Sequence, residues 1–316
     1  MNKRQLGGSG LNVAPWCFGG NVFGWTADEA MSFRLLDAFI DAGFDFIDTA
    51  DVYSRWAPGN KGGESETIIG KWLSERRNRD KVVIATKVGM EMGPGKDNLS
   101  KAYIVEAVEA SLKRLQTDVI DLYQSHRDDA KTPPEETIAA YADLIKSGKV
   151  RAIGASNFST ERLAASLDLS EHDGLPRYET LQPEYNLYNR SAFETSLQPL
   201  CVARGVGVIP YYSLASGFLT GKYRSEADFG KSPRGGNMAK YLDARGLRIL
   251  AALDQVADAH HATQSEVALA WLMNQPSIVA PIASATTVEQ VVSLAKSADL
   301  SLSTGDIEIL DQASTS

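Results

Sequence analysis

Four side chains that can hold or move a proton follow three successive apolar runs of this 316-residue sequence. In chain order they are Asp48, Tyr53, Lys87 and His126. Each run has the length and apolar composition of a buried β-strand, and a helical pattern separates one run from the next. In a parallel α/β barrel the carboxyl ends of the strands meet at one mouth, which is where such folds carry out chemistry. We therefore expect the four side chains to lie together in one site.

Proton delivery is the chemistry that this set of side chains favours. A phenol with an ordinary pKa near 10 is a poor acid or base at neutral pH. The ammonium of Lys87 would stabilise the phenolate of Tyr53 and lower its pKa, and the carboxylate of Asp48 would keep the lysine charged. The imidazole of His126 could donate a hydrogen bond to a substrate carbonyl. The set therefore predicts a tyrosine that protonates an oxygen as that oxygen becomes an alkoxide.

Each of the four residues also has a structural explanation when it is taken alone. Asp48 could cap a helix or a turn, Tyr53 could be a loop aromatic, and Lys87 could lie at the surface. His126 is one of only four histidines in the chain, and a single histidine is more often structural than catalytic. Their joint placement after three consecutive strands favours a functional site over coincidence.

Alternating strand and helix patterns extend along the chain. Residues 3–13 have the Gly-rich turn of a β-hairpin. Apolar runs then predict eight strands, at 15–18, 44–48, 82–86, 120–125, 150–155, 180–182, 206–211 and 278–282. Apolar stripes and capping residues predict helices at 28–42, 64–77, 100–115, 134–147, 159–169, 192–204, 247–260, 264–274 and 287–298. This alternation predicts a single domain, residues 1–316, with an α/β fold: a closed (β/α)8 TIM barrel with an N-terminal β-hairpin.

One long loop interrupts the alternation after the seventh predicted strand. Residues 212–246 are rich in Gly, Ser and charged side chains. Loops of more than about 15 residues without their own secondary structure are usually functional or disordered. We expect this loop to have a function at the mouth of the barrel.

Composition excludes several other classes of protein. The net charge of −8 argues against non-specific binding to nucleic acid or to an anionic membrane. Cys17 and Cys201 are too few for a disulfide framework, and no group of His, Cys and Asp has the spacing of metal ligands. The sequence has no apolar run of about 18 residues and no apolar leader, so we expect a cytoplasmic protein without a metal. It indicates no particular oligomeric state.

A second set of polar groups follows the later strands. Ser156, Asn157 and Gln182 offer hydroxyl and amide partners that suit a carboxamide, and the ring of Tyr211 could stack on a planar heterocycle. Ser156 and Asn157 could instead, or in addition, cap the helix that begins near Ser159.

Phosphate-binding features are present at two further places. The loop Ser213 to Arg224 combines Gly, hydroxyl groups and two cations, as a strap over a pyrophosphate would require. The helix start after Ser284 and Thr286 offers backbone N–H groups to a phosphate. The chain has no P-loop pattern and no G-x-G-x-x-G that opens a helix, so a Rossmann site is not supported.

With these motifs the chain resembles the aldo-keto reductase superfamily, and in particular its bacterial members that are similar to potassium-channel beta subunits. The resemblance extends from Leu6 to about Leu294. The motifs that carry it are residues 43–53 (GFDFIDTADVY), Thr86-Lys87, Ser125-His126, residues 154–157 (GASN), residues 182–186 (QPEYN) and residues 217–223 (GFLTGKY).

The resemblance implies a barrel that binds NADPH and reduces an aldehyde or ketone to an alcohol. The resemblance implies that Tyr53 is the proton donor, that Lys87 and Asp48 adjust the pKa of Tyr53, and that His126 orients the carbonyl. The long loop after strand 7 would cover the cofactor. The implied cofactor-binding residues are Ser156, Asn157, Gln182, Tyr211, Ser213, Leu214, Gly217, Leu219, Gly221, Lys222, Ser284, Thr286 and Gln290.

The chain departs from the family at the adenosine end of this implied site. Members often have a basic residue near Gln290 that reads the 2′-phosphate. They also have a Glu-Asn pair where this chain has Ser293 and Leu294. The resemblance therefore implies NADPH with NADH as a possible alternative, and Lys222 or Arg224 would compensate in part for the missing basic residue.

Two other functions are consistent with parts of the sequence. The first is a nucleotide-sensing interaction module, like the channel-associated relatives, in which slow redox turnover only reports the state of the bound nucleotide. The second is a cofactor-free isomerase or lyase with a Schiff base on Lys87, which would leave the carboxamide-binding set without a role. The oxidoreductase accounts for more of the residues.

Overall fold

Eight parallel strands form a curled sheet with helices on its outer face in the computed structural model, which describes residues 1–315. The strands of the sheet are β3 (Cys17–Gly19), β4 (Phe46–Asp48), β5 (Val83–Val88), β6 (Ile120–Ser125), β7 (Val150–Ser156), β8 (Tyr178–Gln182), β9 (Gly207–Val208) and β10 (Ile282–Ala283). They lie in the order β10-β3-β4-β5-β6-β7-β8-β9. The fold is the predicted TIM-barrel-like α/β fold.

The sheet closes through backbone hydrogen bonds between β9 and the segment before β10. The Val208 N–H donates to the Ser277 carbonyl at 2.8 Å, and the Val279 N–H donates to the Val208 carbonyl at 2.8 Å. Closure pairs the two edge strands, so that neither edge is left open.

Eleven α-helices are seen in residues 1–315. They are α1 (Glu29–Asp41), α2 (Glu64–Arg76), α3 (Lys101–Leu115), α4 (Pro134–Lys146), α5 (Thr160–Asp173), α6 (Ser191–Glu194), α7 (Leu197–Arg204), α8 (Ala244–His260), α9 (Gln264–Met273), α10 (Val288–Lys296) and α11 (Thr304–Ser314). Within this described part of the chain, none is long and apolar enough to span a membrane.

The predicted N-terminal hairpin is present as β1 (Arg4–Gln5) and β2 (Asn12–Val13). Its apolar residues Leu6 and Val13 are fully buried with inward residues of the barrel strands, among them Phe46 and Leu122. The hairpin therefore contributes to the core inside the barrel, and a larger apolar layer separates the strands from the helices.

The structure differs from the sequence-based elements where proline interrupts a hydrogen-bond pattern. The predicted helix 192–204 is two helices, because Pro199 lacks an N–H and its ring would clash with the carbonyl of Thr195. The seventh and eighth strands are shorter than predicted, and Pro210 and Pro281, which cannot donate to a ladder, lie at their ends. Helix α11 was not predicted, although Ser303 and Asp306 form a capping box at its start.

The long loop after β9 is folded. We call residues 212–243 the strap; it contains four short 3₁₀ turns. Phe218, Tyr223, Met238 and Tyr241 anchor it in the core, each at most 1% exposed. Burial of this much apolar surface fixes the strap against the mouth of the barrel.

Candidate active site

Asp48, Tyr53 and Lys87 meet at the carboxyl ends of β4 and β5. The Lys87 Nζ donates to Asp48 Oδ2 at 2.7 Å, to the Thr49 carbonyl at 2.8 Å and to the Tyr53 hydroxyl at 2.9 Å. The Tyr53 hydroxyl in turn donates to Asp48 Oδ2 at 3.3 Å. Lys87 and Asp48 are almost completely buried. The acid, the cation and the phenol therefore form one compact hydrogen-bonded group.

Two glutamines hold the second oxygen of Asp48. Gln124 Nε2 donates to Asp48 Oδ1 at 3.2 Å, and Gln182 Nε2 donates to it at 3.0 Å. Gln124 was not among the residues predicted for the site. Its signal in the sequence is an inward position on β6, two residues before His126, where an apolar side chain would be ordinary in a barrel core.

The phenol of Tyr53 is held in its protonated form. Burial and the Asp48 carboxylate raise the pKa of Tyr53 well above its ordinary value. Burial lowers the pKa of Lys87, while the adjacent Asp48 opposes that change. The expectation that Lys87 lowers the tyrosine pKa is therefore not met, because desolvation and a carboxylate at 3.3 Å outweigh the ammonium. A protonated phenol is the form that donates a proton.

His126 lies beside the phenol and lines the same cleft. Its ring centroid is 5.9 Å from that of Tyr53, with the two planes 70° apart. Burial and the nearby Lys87 ammonium lower the pKa of His126 well below its ordinary value. A neutral imidazole can donate from one ring nitrogen without adding charge to the site.

A cleft of about 930 Å³ runs from Tyr53 and His126 across the mouth of the barrel to the start of α10. Asp48 and Lys87 lie behind its wall. Within residues 1–315, no Asp or Glu side chain lines the cleft, and its basic residues are Lys222, Lys231 and Arg234. Although the protein is acidic overall, none of the carboxylates in the described residues lies at this cleft.

The predicted carboxamide-binding residues come together along one side of the cleft. Asn157 Nδ2 donates to the His126 carbonyl at 2.9 Å, and the Tyr211 hydroxyl donates to Asn157 Oδ1 at 2.8 Å. The Ser156 hydroxyl donates to the Gln182 carbonyl at 2.9 Å. Ser159, not Ser156 or Asn157, caps α5. Asn157 has a φ of +55°, a left-handed conformation that asparagine adopts more readily than most non-glycine residues.

The strap places most, but not all, of its predicted residues at the cleft. Ser213, Leu214, Gly217 and Lys222 line it. Leu219 and Gly221 do not, because the side chain of Leu219 is fully buried in the core and Gly221 forms a turn packed beside Arg224 and Gln264. Three consecutive residues, 215–217, have positive φ values, which turns this part of the backbone sharply at the cleft.

Arg234 is a cleft residue that sequence reasoning missed. Its guanidinium lies over the Trp25 ring, 5.2 Å from the centroid. With the Asn21 carboxamide oriented so that its oxygen faces the arginine, Arg234 Nη2 donates to that oxygen at 3.0 Å. No carboxylate within the described chain pairs with Arg234, and burial lowers its pKa. Only the basic character of residues 222–234 could have pointed to it.

Ser284, Thr286 and Gln290 form the far end of the cleft. The Thr286 N–H donates to Gln290 Oε1 at 2.8 Å, which leaves the amide nitrogen of Gln290 able to donate. The Ser284 hydroxyl donates to the Gly19 carbonyl at 2.7 Å. Thr287, the next residue, caps α10 with its side chain.

Comparison with known proteins gives one family for all of the fold except the N-terminal hairpin. The sequence model described as the aldo/keto reductase family matches residues 15–315. An aldo-keto reductase of Bacillus subtilis (strain 168), YhdN, is 36% identical over 85% of this chain and 78% of its own.

Other relatives have different names but similar coverage. A protein of the same Bacillus strain, named as an uncharacterized oxidoreductase, YrpG, is 36% identical over 98% of this chain and 94% of its own. A probable voltage-gated potassium channel subunit beta of Arabidopsis thaliana is 34% identical over 95% of this chain and 92% of its own.

Proposed function

Since the chain belongs to the aldo/keto reductase family, whose members are oxidoreductases that use nicotinamide cofactors, we propose that it reduces aldehyde or ketone carbonyls to alcohols with NADPH. Tyr53 supplies the proton. The observation that carries this proposal is the contact of 2.9 Å between the Tyr53 hydroxyl and Lys87 Nζ at the wall of the cleft.

The chemistry of the cleft supports a dinucleotide. Two cations that no carboxylate of the described residues neutralises, Lys222 and Arg234, lie on the strap. An anionic pyrophosphate would supply the missing negative charge. The lining is otherwise rich in hydroxyl and amide groups and lacks carboxylates, which would repel such a ligand.

We assign the cofactor-holding groups from this lining. Ser156, Asn157 and Gln182 would hold the carboxamide, Tyr211 would pack on the ring, and the strap residues Ser213, Leu214, Gly217 and Lys222 would hold the diphosphate together with Arg234. Ser284, Thr286 and Gln290 would meet the adenosine end. When bound, the cofactor supplies the hydride that goes to the carbonyl carbon. NADPH and NADH share the diphosphate that the strap cations would hold, so we propose NADPH as the cofactor with NADH as the alternative.

The residues of the chain provide the rest of the chemistry. The neutral imidazole of His126 donates a hydrogen bond to the carbonyl oxygen and fixes its angle. Tyr53 then gives its proton to that oxygen as negative charge develops there. Lys87 stabilises the resulting phenolate, and Asp48, held by two glutamines, keeps Lys87 in place.

A Schiff base on Lys87 is disfavoured by the same geometry. Its amino group is fully buried behind the cleft wall, and three acceptors surround it. A carbonyl substrate in the cleft would have to displace Tyr53 to reach it.

Replacement Tyr53→Phe tests the proposal. We expect the turnover number with NADPH and 4-nitrobenzaldehyde to fall by about 10² to 10⁴, because the proton donor is lost. Cofactor affinity, measured by quenching of tryptophan fluorescence, should stay within about twofold because the phenol only lines the wall of the cleft.

The matched control is Tyr123→Phe, which removes a buried hydroxyl that has no hydrogen-bond partner in the described structure. It should leave turnover unchanged. Unchanged turnover in Tyr53→Phe would remove Tyr53 from the mechanism. Oxidation of one equivalent of bound cofactor without further turnover in the unmodified protein would instead favour the nucleotide-sensing module.

A further inference from the structure

One short turn holds both ends of the strap. We call this turn, residues 186–189 between β8 and α6, the anchor turn. The side-chain nitrogen of Asn186 donates to the carbonyl of Tyr212, the first residue of the strap, at 3.0 Å. The hydroxyl of Tyr188 donates to Oδ2 of Asp243, the last residue of the strap, at 2.7 Å. The two ends of a long segment are therefore bonded to the same place in the fold.

The anchor turn has a fixed shape because Asn186 also forms it. Asn186 is completely buried, and its Oδ1 accepts the N–H groups of Tyr188 at 2.8 Å and of Asn189 at 2.9 Å. The Asn186 N–H donates to the Asn189 carbonyl at 3.3 Å. An Asn side chain that accepts such local N–H bonds stabilises a turn. Its amide nitrogen is then left to bond the strap.

Tyr188 contacts the strap with its ring as well as with its hydroxyl. Its ring meets that of Tyr241 edge-to-face, with centroids 4.9 Å apart, and the Arg245 guanidinium lies 4.9 Å from the Tyr188 centroid. The hydroxyl also lies 3.1 Å from the Lys240 carbonyl oxygen. Burial and the Asp243 carboxylate raise the pKa of Tyr188 to about 12, so the hydroxyl keeps its proton at neutral pH. A hydrogen bond to a charged acceptor is stronger than one between neutral groups.

The anchor turn reaches the proposed cofactor site only through the strap. Within residues 1–315, none of its four residues lines the cleft, whereas the strap contributes Ser213, Lys222 and Arg234 to the lining. Bonds at its two ends bias the strap towards this closed path, and the loss of a bond shifts the population towards looser ones. Only molecules with a closed strap present these groups together to a diphosphate.

We propose that Asn186 and Tyr188 are positioning residues for the cofactor: they hold both ends of the strap and thereby set how tightly the dinucleotide is bound. The inference rests on the proposed function, in which the strap holds the diphosphate of NADPH. The apparent dissociation constant rises in inverse proportion to the fraction of molecules whose strap is closed.

Replacement Tyr188→Phe tests the inference, because it keeps the ring and removes the hydroxyl that bonds Asp243. We expect the dissociation constant of NADPH, measured by quenching of tryptophan fluorescence, to rise about tenfold. The KM for 4-nitrobenzaldehyde at saturating NADPH should stay within about twofold, because Tyr53 and His126 are held by β4, β5 and β6 and the segments that follow them. General damage to the barrel would raise both values.

Cleavage by trypsin measures the strap without any cofactor. Trypsin cleaves after Lys and Arg, and the strap has five such residues: Lys222, Arg224, Lys231, Arg234 and Lys240. Cleavage of a folded segment follows the population of its open form. We expect the strap of Tyr188→Phe to be cleaved about tenfold faster than that of the unmodified protein, and NADPH to slow cleavage in both.

The matched control is Tyr185→Phe, just before the anchor turn. The Tyr185 hydroxyl also donates to a carboxylate, Glu194 on α6, at 2.6 Å, and it forms no hydrogen bond with the strap in the described structure. This variant loses a comparable hydrogen bond, but its NADPH affinity and its rate of cleavage in the strap should match those of the unmodified protein.

The outcomes separate the role of the anchor turn from the proposed function. If NADPH does not bind to the unmodified protein, the proposed function fails, whatever the trypsin result. If NADPH binds, and Tyr188→Phe has unchanged affinity, the positioning role is overturned, even where cleavage of the strap is faster. Equal losses of affinity in Tyr185→Phe and Tyr188→Phe would also overturn it, since a general loss of stability would then explain both.

Discussion

Asp51 follows the proposed site residue Asp48 by three positions and has a different environment. It is 2% exposed, and neither of its carboxyl oxygens has a hydrogen-bond partner among the described residues. Burial, with the added repulsion of Glu66 on α2, raises the pKa of Asp51 to about 8. Arg114 of α3 opposes this shift, but it is already paired with Glu66 at 2.6 Å. Asp51 is therefore mostly protonated at neutral pH.

This buried acid makes the stability of the fold depend on pH. The ordinary pKa of the group is 3.8, and its value in the folded protein is about 8. Between these two pH values the folded protein keeps a proton that the unfolded chain has lost. The contribution of Asp51 to the free energy of unfolding is therefore fully present below pH 3.8 and is lost as the pH rises to 8.

We expect Asp51→Asn to raise the free energy of unfolding at pH 8 by at least about 1 kcal/mol. The amide is neutral at every pH, so the folded variant avoids the cost of a buried ionised carboxylate. The gain should shrink as the pH falls towards 5. Urea unfolding at pH 5, 6, 7 and 8 measures it. Asp118→Asn, at an exposed loop position, is the control and should show no such trend. A gain for Asp51→Asn that is equal at all four pH values would contradict the assigned pKa.

At the scale of residues, the positions that the sequence predicted best were those at strand ends. Asp48, Tyr53, Lys87 and His126 meet because the carboxyl ends of parallel strands are neighbours, which is a property of the backbone pattern. The support of Asp48 by Gln124 and the position of Arg234 over Trp25 arise from contacts between distant segments. Spacing along one sequence carries no signal for such contacts.

Among the elements, the strap depends most on tight backbone contacts. A Cβ atom at Gly235 would overlap the carbonyl oxygen of Phe229, whereas a Cβ at Gly236 would meet no atom within 4 Å. The two glycines are adjacent in one short turn, just after Arg234. They therefore form a matched pair in which only one substitution disturbs the path of the strap.

We expect Gly235→Ala to weaken NADPH binding by about tenfold or more, because the displaced segment carries Arg234 and Lys231. Gly236→Ala should bind NADPH as the unmodified protein does. Fluorescence titration measures both affinities, and thermal unfolding shows whether the barrel remains intact. Equal affinities in the two variants would indicate that the path of the strap has no effect on the cofactor.

Helices were predicted more accurately than the short strands near the end of the chain. The stripe of Ile104, Val108 and Leu112 on α3 is buried, and Ser100 caps that helix as expected. Local periodicity and caps determine such an element. The strap was predicted only as a long loop, since Phe218 and Tyr241 both pack against Tyr188, which lies at least 30 residues earlier in the sequence.

For the whole molecule, the closeness of neighbouring strands limits what the barrel tolerates. A Cβ at Gly154 on β7 would overlap the Thr180 hydroxyl of β8 and would lie 3.1 Å from Gln124 Cγ of β6. Three strands thus meet at a position where only a hydrogen atom fits, next to Gln124, one of the two glutamines that hold Asp48.

We expect Gly154→Ala to lower the free energy of unfolding by about 1–3 kcal/mol through overpacking. Adding Thr180→Ala should recover part of the loss, because it removes the overlapping hydroxyl, which is buried without a hydrogen-bond partner in the described structure. Gly230→Ala, in open space, is the control. Urea unfolding of the unmodified protein, the two single variants Gly154→Ala and Thr180→Ala, and the double variant measures the coupling, and strictly additive effects would contradict direct contact.

The barrel itself was predictable because eight alternations of strand and helix leave few other topologies. Closure of the barrel was predicted too, but not the residues that make it, because β9 and the segment before β10 pair through only a few bonds near Pro210 and Pro281. Those bonds depend on the positions of all the other strands.

The carboxylate of Asp48 receives hydrogen bonds from Lys87 on β5, Gln124 on β6 and Gln182 on β8, as well as from Tyr53 in the loop after β4. The acid, its cation and their amide supports are therefore built into the strands of the barrel. The rings of Trp25 and Trp56, like the strap, belong to connecting segments at the mouth of the barrel. This division makes the connecting segments interchangeable. The loop after β3, or the strap, could be replaced by the corresponding segment of a relative to redirect substrate choice. Asp48, Lys87 and the two glutamines would stay intact in the strands.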